Sequence, residues 1–321
     1  MDVLRYTENS EASRIRPKHI LNLNTDEKLE FLASFDRVFS DIDGVAWNLT
    51  SSIPRAVEGY QALLEAGKTL NFISNNSVRS PSEYERKFKD IGLEVDLDAL
   101  VHPAKSILQY LKHINFKGLI YVIATERVKD MLREAGYDII DGPTKIIKES
   151  FSDLARNVFG DEPVRAVIID VDFNLSSPKL IRAHVFLRHP DCILIEGATD
   201  KLLPVGNDLD IIGPGPFAQV LAGSSKKHLI TLGKPGKELG EMLVKNFEIE
   251  ETKRVLMIGD MLEQDIGFGR QCGFQTLAVL SGGCKLQDLE RETIRDNIPD
   301  YYADSIADFI EFMNDLNKSN V

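Results

Sequence analysis

The chain has 321 residues, a formal net charge of −12 and 43% hydrophobic residues, which is enough for one large domain or two ordinary ones. The negative charge excludes an overall basic footprint for nucleic acid and disfavours binding to an anionic membrane surface. We find no secretory signal and no apolar stretch of the roughly twenty residues that a transmembrane helix needs. The three cysteines have no Cys-x-x-Cys spacing, so we expect free thiols and a cytoplasmic protein.

The first predicted strand, Val38-Phe39-Ser40, ends in Asp41 and Asp43, which are followed at once by Gly44. Side chains alternate along a strand, so a regular strand would place both carboxylates on one side. Like charges this close repel each other, and burying them unpaired is costly. A divalent cation would remove the conflict, and oxygen ligands of this kind suit Mg²⁺.

Residues 68–73 fit a second strand, which ends at Ser74-Asn75-Asn76. The following Ser80-Pro81-Ser82-Glu83 is a capping box with proline at the first helical position. A helix should therefore begin there and end near Gly92, because glycine is typical of the position after a helix.

The middle of the chain repeats this alternation of strands and helices. The expected strands cover 118–124, 164–170 and 192–195, and the expected helices cover 104–114, 126–135 and 179–188. From residue 229 the pattern returns to strand, helix and strand. We therefore predict an α/β protein with a discontinuous parallel-sheet core, 1–92 and 226–321, whose residues 1–33 form an N-terminal extension, and a second domain inserted at 93–225.

Two acids at the first strand end suggest hydrolysis of a phosphate ester. An open parallel sheet binds its ligands outside the carboxyl ends of its strands. Asp41 is the candidate nucleophile, because a carboxylate can attack phosphorus and form an aspartyl-phosphate. Asp43 is the candidate general acid for the leaving alkoxide, and then the base for the attacking water.

Other polar residues at strand ends could bind the phosphate group. Ser74, Asn75 and Asn76 can donate hydrogen bonds to phosphoryl oxygens. Lys234, in Gly233-Lys234-Pro235, supplies a positive charge beside a helix N-terminus, which is a favourable place for an anion.

A second pair of acids completes the predicted metal site. Asp260 follows a strand and would bind Mg²⁺ together with Asp41, while Asp265 would steady the site from nearby. The metal would offset the repulsion between the carboxylate nucleophile and an anionic substrate. Each motif alone is common, but their order and their positions at strand ends favour one shared phosphoryl-transfer centre.

Together these motifs resemble the haloacid dehalogenase superfamily of phosphatases, and more narrowly its branch of nitrophenyl, phosphoglycolate and pyridoxal phosphate phosphatases. The resemblance rests on Asp41-Ile42-Asp43-Gly44-Val45, Ser74-Asn75-Asn76-Ser77, Gly233-Lys234-Pro235, and Gly259-Asp260 with Asp265. It implies a Rossmann-like core, a large α/β cap, Mg²⁺ dependence, small phosphorylated metabolites as substrates and a homodimer made through the cap. It also implies that Asp43 binds the metal through its backbone carbonyl.

The chain departs from the family pattern around these motifs. Met261, Glu263 and Gln264 are atypical, and the cap's usual Thr-Asn-x-Asp reads Gly197-Ala198-Thr199-Asp200, which keeps the acid. Leu203 stands where pyridoxal phosphate phosphatases of this branch carry histidine and glycolate-type relatives carry leucine. The leucine at position 203 favours phosphoglycolate as the substrate. Glycolate-type relatives also carry an arginine at the neighbouring position, which is Leu202 here, so a carboxylate substrate loses one candidate partner.

Three alternatives remain open at this point. The protein could be a pyridoxal phosphate phosphatase, or a catalytically weak member of the family that acts as a binding protein. It could also transfer the phosphoryl group to a sugar hydroxyl, as a mutase does, because a closing cap can select against water.

Overall fold

The computed structural model describes residues 16–49, 51–206 and 209–319. Within these ranges the strands are β1 (Lys18–His19), β2 (Arg37–Ser40), β3 (Thr69–Ile73), β4 (Leu100–Val101), β5 (Leu119–Ile123), β6 (Ile139–Ile140), β7 (Val164–Ile169), β8 (Ile193–Glu196), β9 (Leu202–Gly206), β10 (Leu209–Ile212), β11 (Leu229–Thr231), β12 (Val255–Gly259), β13 (Gln275–Val279) and β14 (Tyr301–Ala303). The α-helices are α1 (Thr25–Ala33), α2 (Ala56–Glu65), α3 (Pro81–Ile91), α4 (Pro103–His113), α5 (Glu126–Glu134), α6 (Phe151–Val158), α7 (Ser177–Leu187), α8 (Gly215–Ser225), α9 (Lys237–Asn246), α10 (Gly267–Gln271), α11 (Leu286–Arg291) and α12 (Asp308–Ser319).

Two parallel sheets carry the fold. The larger has the order β1-β14-β13-β12-β2-β3-β4, and every pair in it is parallel. The smaller, also parallel, has the order β11-β8-β7-β5-β6, and β9 and β10 form a separate antiparallel hairpin. These sheets and their helices confirm the predicted α/β class. No helix in the described ranges is long and apolar enough to cross a bilayer.

The centre of the larger sheet positions the predicted strand-end residues. β2 lies between β12 and β3, and its Phe39 is fully buried, as expected for a parallel strand covered on both faces. The Asp41 N–H continues the ladder and donates to Ile258 O at 2.8 Å. Asp41, Ser74 and Asp260 therefore follow three adjacent strands and lie along one edge of the sheet.

The local signals around α3 predict its bounds correctly. Ser80 Oγ accepts from Glu83 N at 3.1 Å, and the Glu83 carboxylate accepts from Ser80 N at 2.7 Å. Gly92 ends the helix in the left-handed conformation, with φ at 88°. The capping box is thus confirmed, and it determines where α3 begins after the loop that contains Ser74.

The described part of the predicted N-terminal extension, residues 16–33, packs on the core. β1 pairs in parallel with β14, and α1 buries Phe31 against the rings of Phe309 and Phe312. The burial of such large aromatic side chains stabilises the segment on the core. The part of the extension that precedes Arg16 lies outside the described residues.

Two short strands lie on the other side of the predicted domain boundaries. Leu100–Val101 pairs with Phe72 and Ile73 in the larger sheet, although the predicted cap began at residue 93. Leu229–Thr231 pairs with β8 in the smaller sheet, although the predicted core resumed at residue 226. Hydrogen bonding to distant strands, which a local pattern does not contain, decides where these strands belong.

Candidate active site

A buried lysine joins two of the predicted acids. Lys234 Nζ lies 2.6 Å from Asp41 Oδ1 and 2.6 Å from Asp265 Oδ1. All three side chains are buried, and Lys234 itself is 2% exposed. The loop after β11 brings the lysine to the carboxyl end of β2, as the sequence predicted. A lysine in this position can attract a phosphoryl group and orient the carboxylate beside it.

Three buried carboxylates lie around this lysine. Asp41, Asp260 and Asp265 each offer an oxygen, and these oxygens lie within 4.8 Å of one another. Asp260 Oδ2 accepts from Gly283 N at 2.6 Å, but Asp260 Oδ1 is buried without a hydrogen-bond partner. Gly44, with φ at +91°, lies so close that a Cβ there would come within 2.2 Å of Asp260 Oδ2. Glycine is thus required both by this conformation and by the acid.

The donor set fits a divalent cation. Three carboxylates and one ammonium leave two negative charges, and the free Asp260 oxygen is a hard ligand of the kind that Mg²⁺ binds. Asp265 already accepts from Lys234 and from Met261 N, the latter at 2.9 Å. Asp41 and Asp260 would therefore hold the ion, while Asp265 fixes the lysine and the turn.

Burial shifts the pKa values of the charged groups in this centre. Burial raises the pKa of Asp41 well above its ordinary value, partly opposed by Lys234. Burial and the neighbouring Asp265 raise the pKa of Asp260 to about 6. Burial disfavours the charge on Lys234, but Asp265 and Asp41 outweigh it and raise the pKa of the ammonium. Without a metal ion, three buried carboxylates share the single Lys234 ammonium, so like charges in this centre repel each other.

We expect Mg²⁺ to raise the melting temperature of the protein more at about pH 7.5 than at about pH 5.5. Carboxylate ligands must be deprotonated to bind metal, and Asp260 with a pKa of about 6 changes its charge between these conditions. Thermal unfolding with and without Mg²⁺ at both pH values measures the effect. Asp260→Asn should abolish the Mg²⁺-induced shift, and an undiminished shift in this variant would contradict the assignment.

The side chain of Asp43 is held by two residues that the sequence analysis missed. Arg79 Nη1 lies 2.8 Å from both carboxylate oxygens, and Trp47 Nε1 donates to Oδ1 at 3.0 Å. Arg79 is largely buried, with its guanidinium 6.0 Å from the Trp47 ring centroid. The sequence feature that could have identified Arg79 is its position, two residues after Ser77 in the loop that follows β3. These contacts use two acceptor sites on Oδ1 and one on Oδ2, which leaves Oδ2 a site at which a proton can be held.

The polar side chains of the loop after β3 are held by hydrogen bonds to the protein itself. Ser74 Oγ accepts from Tyr84 OH at 3.0 Å and from Asn76 N at 3.0 Å, which leaves its own proton for a phosphoryl oxygen. Asn75 accepts from Lys234 N at 2.8 Å and donates to Lys234 O at 2.9 Å. Asn76 Oδ1 accepts from the backbone N–H groups of the turn that follows. The Asn75 amide thus holds the lysine loop, a role that differs from its predicted contact with phosphate.

The cap reaches this centre through residues 199–201. Thr199 Oγ1 accepts from Asn75 Nδ2 at 3.1 Å, and Asp200 Oδ1 accepts from Gln264 Nε2 at 3.3 Å. Lys201 Nζ lies 2.6 Å from Glu263 Oε2. The atypical Glu263 and Gln264 thus contact the cap, a role that sequence reasoning did not assign to them.

Leu203, the second predicted cap residue, lies on the hairpin next to this contact. It is half-buried in β9 and pairs with Ile211 in β10. The structure therefore brings Asp200 close to the cluster of Asp41, Lys234 and Asp265, and it places Leu203 on the strand that follows. A role of Leu203 in specificity remains a prediction.

Comparisons with known proteins identify the family of the chain. Residues 38–138 match the family model described as haloacid dehalogenase-like hydrolase, and residues 231–309 match one described as HAD-hydrolase-like. Chronophin of Homo sapiens is 32% identical over 288 residues, which cover 87% of this chain and 93% of that protein. Phosphoglycolate phosphatase 1A, chloroplastic, of Arabidopsis thaliana is 28% identical and covers 93% of this chain and 83% of its own length.

A solved structure shows the same fold. The p-nitrophenyl phosphatase from Archaeoglobus fulgidus aligns with a TM-score of 0.71 and 23% identity, over 87% of this chain and 99% of its own. The strand-end acids and the relatives together define the class of the protein, which is a phosphoric monoester hydrolase. The chain belongs to the haloacid dehalogenase-like hydrolase family.

Proposed function

We propose that the protein is a Mg²⁺-dependent phosphatase that hydrolyses small phosphate monoesters through an aspartyl-phosphate. The observation that carries the proposal is the buried Asp41, which pairs with Lys234 and lies in one cluster with Asp260, whose Oδ1 has no hydrogen-bond partner. Such a carboxylate is oriented for attack on phosphorus and lies beside a positive charge that attracts the substrate.

Two displacements complete the reaction. In the first, an Asp41 oxygen bonds to phosphorus, the bond to the leaving oxygen breaks, and Asp43 gives that oxygen a proton. In the second, Asp43 takes a proton from water, the water oxygen bonds to phosphorus, and the bond between Asp41 and phosphorus breaks. Lys234 and the Ser74 hydroxyl hold phosphoryl oxygens throughout. Bound Mg²⁺ on Asp41, Asp260 and the Asp43 carbonyl would neutralise charge between nucleophile and substrate.

Release of phosphate from p-nitrophenyl phosphate tests this function. We expect turnover that requires Mg²⁺, disappears with a chelator and returns when Mg²⁺ is added in excess. A burst of nitrophenol or trapping of the phosphorylated carboxylate would support the covalent intermediate. Absence of turnover with Mg²⁺ in a folded, homogeneous preparation would favour a binding protein instead.

For the substrate, Leu203 favours phosphoglycolate-type esters over pyridoxal 5′-phosphate. We expect Leu203→His to raise the kcat/KM for pyridoxal 5′-phosphate relative to that for p-nitrophenyl phosphate. The imidazole adds one hydrogen bond in a half-buried position, which is worth about 0.5–1.5 kcal/mol, or roughly several-fold. Kinetics on both esters measure this ratio, with Leu203→Met as a control of similar size. An equal ratio in both variants would show that this strand does not contact the substrate.

We also propose that the cap forms a homodimer through the β9–β10 hairpin. A lone two-stranded hairpin is marginally stable in water. This one exposes several large apolar side chains, which is typical of a surface that binds a partner. They are Leu202, Val205, Leu209, Ile211 and Ile212. Light scattering on the protein and on the double variant Leu209→Asp/Ile212→Asp tests it, and a wild-type monomer at micromolar concentration would contradict it.

We place the protein in the cytoplasm. The cysteines, Cys192, Cys272 and Cys284, are free and lie within the described ranges. Free thiols of this kind suit a reducing compartment. Fluorescence microscopy of the tagged chain in its native cells tests the location.

A further inference from the structure

Arg79 is a charged residue that the reaction described above does not use. Its Nη1 lies 2.8 Å from Oδ1 and 2.8 Å from Oδ2 of Asp43, so one nitrogen contacts both oxygens of the proton donor. The Arg79 side chain is 16% exposed, and in the part of the chain that the structure describes Asp43 forms no other ion pair. Arg79 therefore lies where it can influence the reaction through Asp43.

The loop that carries Arg79 also carries the residues predicted to bind phosphate. Asn76 Oδ1 accepts from Val78 N at 3.0 Å and from Arg79 N at 3.2 Å. The next residue, Ser80, is the N-cap of α3, and its capping box fixes the start of that helix. The backbone of Arg79 is thus held on both sides, so little conformational freedom is lost when its side chain contacts Asp43.

Two aromatic rings hold the guanidinium group of Arg79. Its Cζ lies 6.0 Å from the centroid of the Trp47 ring and 5.8 Å from that of the Tyr84 ring. The face of an aromatic ring attracts a cation at such distances. Burial disfavours the charge on Arg79, but Asp43 outweighs it and raises the pKa of the guanidinium. The arginine is therefore a fixed positive charge beside Asp43.

The contacts around Asp43 leave one place for its proton. A carboxylate has about four sites at which its two oxygens accept hydrogen bonds. Arg79 Nη1 uses one site on each oxygen, and Trp47 Nε1, which donates to Oδ1 at 3.0 Å, uses another. The remaining site is on Oδ2, so Arg79 and Trp47 determine which oxygen of Asp43 holds the proton.

The position of Arg79 also suits the charge that forms during the reaction. When Asp43 gives its proton to the leaving oxygen, the bond from that oxygen to phosphorus breaks and Asp43 becomes a carboxylate. Arg79 already contacts both oxygens that share the new charge. A donor that is in place beforehand stabilises developing charge without reorganisation. The Asp43 side chain is still 36% exposed, so it remains accessible to a leaving group.

We propose that Arg79 is a positioning residue of the phosphatase reaction, which orients the Asp43 carboxyl group for proton transfer and stabilises the carboxylate that this transfer produces. Arg79 acts through Asp43 and needs no contact with the substrate. Its effect is largest for esters whose leaving oxygen most needs a proton. The inference rests on the phosphatase function proposed above and extends it to a residue outside the predicted motifs.

A purely structural ion pair would behave differently. If Arg79 only fastened its loop to the loop after β2, its loss would lower the melting temperature and would reduce the kcat/KM of every ester by a similar factor. A role in proton transfer instead makes the loss depend on the leaving group and on the presence of Asp43. These two dependences distinguish positioning from fastening.

Three esters whose leaving groups decrease in acidity test the proposal. They are p-nitrophenyl phosphate, phenyl phosphate and 2-hydroxyethyl phosphate, and kcat/KM with Mg²⁺ reports the steps up to the first displacement. We expect Arg79→Gln to lower kcat/KM roughly tenfold to a hundredfold for 2-hydroxyethyl phosphate, as the loss of a hydrogen bond to a charged group does, and far less for p-nitrophenyl phosphate. An equal loss for all three esters would overturn the proposal.

A double-mutant cycle tests whether Arg79 acts through Asp43. The Asp43→Asn protein has no proton donor at this position, so adding Arg79→Gln should lower its kcat/KM for 2-hydroxyethyl phosphate by only about twofold or less. If the losses of the two single variants multiplied in the double variant, Arg79 would act independently of Asp43, and the proposal would be wrong.

Two further variants separate charge from packing. Because a single nitrogen of Arg79 contacts both oxygens, a lysine can make the same contact, and Arg79→Lys should recover part of the loss for 2-hydroxyethyl phosphate. Lys87→Gln is the matched control, because Lys87 Nζ lies 4.6 Å from the centroid of the same Trp47 ring without a hydrogen bond to Asp43 in the described ranges. The same dependence on the leaving group in Lys87→Gln would overturn the assignment to Arg79.

The wild-type protein and p-nitrophenyl phosphate distinguish a failure of this proposal from a failure of the phosphatase function. If the wild type hydrolyses this ester and Arg79→Gln loses the same factor for every ester, only the role of Arg79 is wrong. If the wild type does not hydrolyse it, the phosphatase function fails, and the role of Arg79 fails with it. Circular dichroism shows whether Arg79→Gln folds. If it does not, Arg79→Lys replaces it in the same comparison, and an equal loss for all esters then overturns the proposal.

Discussion

Asp41→Asn should abolish turnover while the protein stays folded. The amide cannot form the aspartyl-phosphate, so the loss should be at least roughly 10⁴-fold in kcat. The amide oxygen can still accept from Lys234, which also keeps its ion pair with Asp265. Phosphate release by the purified variant, measured with Mg²⁺, reports the loss.

The stability of this variant should change in a defined direction. Because burial raises the pKa of Asp41, there is a pH range above the ordinary carboxyl value in which the folded metal-free protein holds a proton on Asp41 and the unfolded chain does not. Because the pKa of Asp41 is higher in the folded state, the free energy of unfolding decreases as pH rises above the ordinary carboxyl value. Metal-free Asp41→Asn should therefore unfold at the same temperature as the wild type or higher, with the difference growing as pH rises above the ordinary carboxyl value.

A matched substitution on the same strand separates chemistry from folding. Asp36, just before β2, forms an exposed ion pair with Arg254. Asp36→Asn makes the same chemical change at the opposite end of the strand and should keep most of the activity. Steady turnover by Asp41→Asn above a contamination control would rule out Asp41 as the nucleophile.

The sequence predicted those parts of the structure that depend on local signals. The apolar run before Asp41 predicts a buried strand, and the Ser80-Glu83 capping box predicts the start of α3, because both depend on neighbouring residues. Lys234 was placed at the centre because it precedes a helix at a strand end. Its contact with Asp41, 193 residues away, is made by the loop between β11 of the smaller sheet and α9, and a local pattern does not predict where that loop lies.

Pairings between distant side chains could not be predicted. The partner of Asp43 is Arg79, 36 residues away, and the partner of Glu263 is Lys201, 62 residues away. Many charged residues in the chain could serve as partners, and the fold decides which of them approach. The hairpin residues 202–206 were not predicted as a strand, because Leu202-Leu203-Pro204 has no alternation of apolar and polar residues and contains a proline.

Asp43→Asn should lower turnover by a factor that depends on the leaving group. The amide cannot transfer a proton, and general acid–base catalysis typically contributes about 10² to 10⁴. An alkoxide leaving group needs that proton, whereas nitrophenolate leaves readily without it. The loss in kcat for the first displacement should therefore be larger for 2-hydroxyethyl phosphate than for p-nitrophenyl phosphate, as rapid-mixing kinetics on both esters would measure.

The fold and the metal site should survive this substitution. In Asp43→Asn the amide oxygen can accept from Arg79 and Trp47 in place of the carboxylate, and the predicted metal ligand of this residue is its backbone carbonyl. Calorimetry should therefore show that Mg²⁺ still binds. Trp47→Phe is the companion variant, because it removes one hydrogen bond to Asp43 but keeps the acid, and it should cost far less activity. Complete loss of Mg²⁺ affinity in Asp43→Asn, or an equal loss for both leaving groups, would argue that Asp43 is a metal ligand through its side chain and not the proton donor.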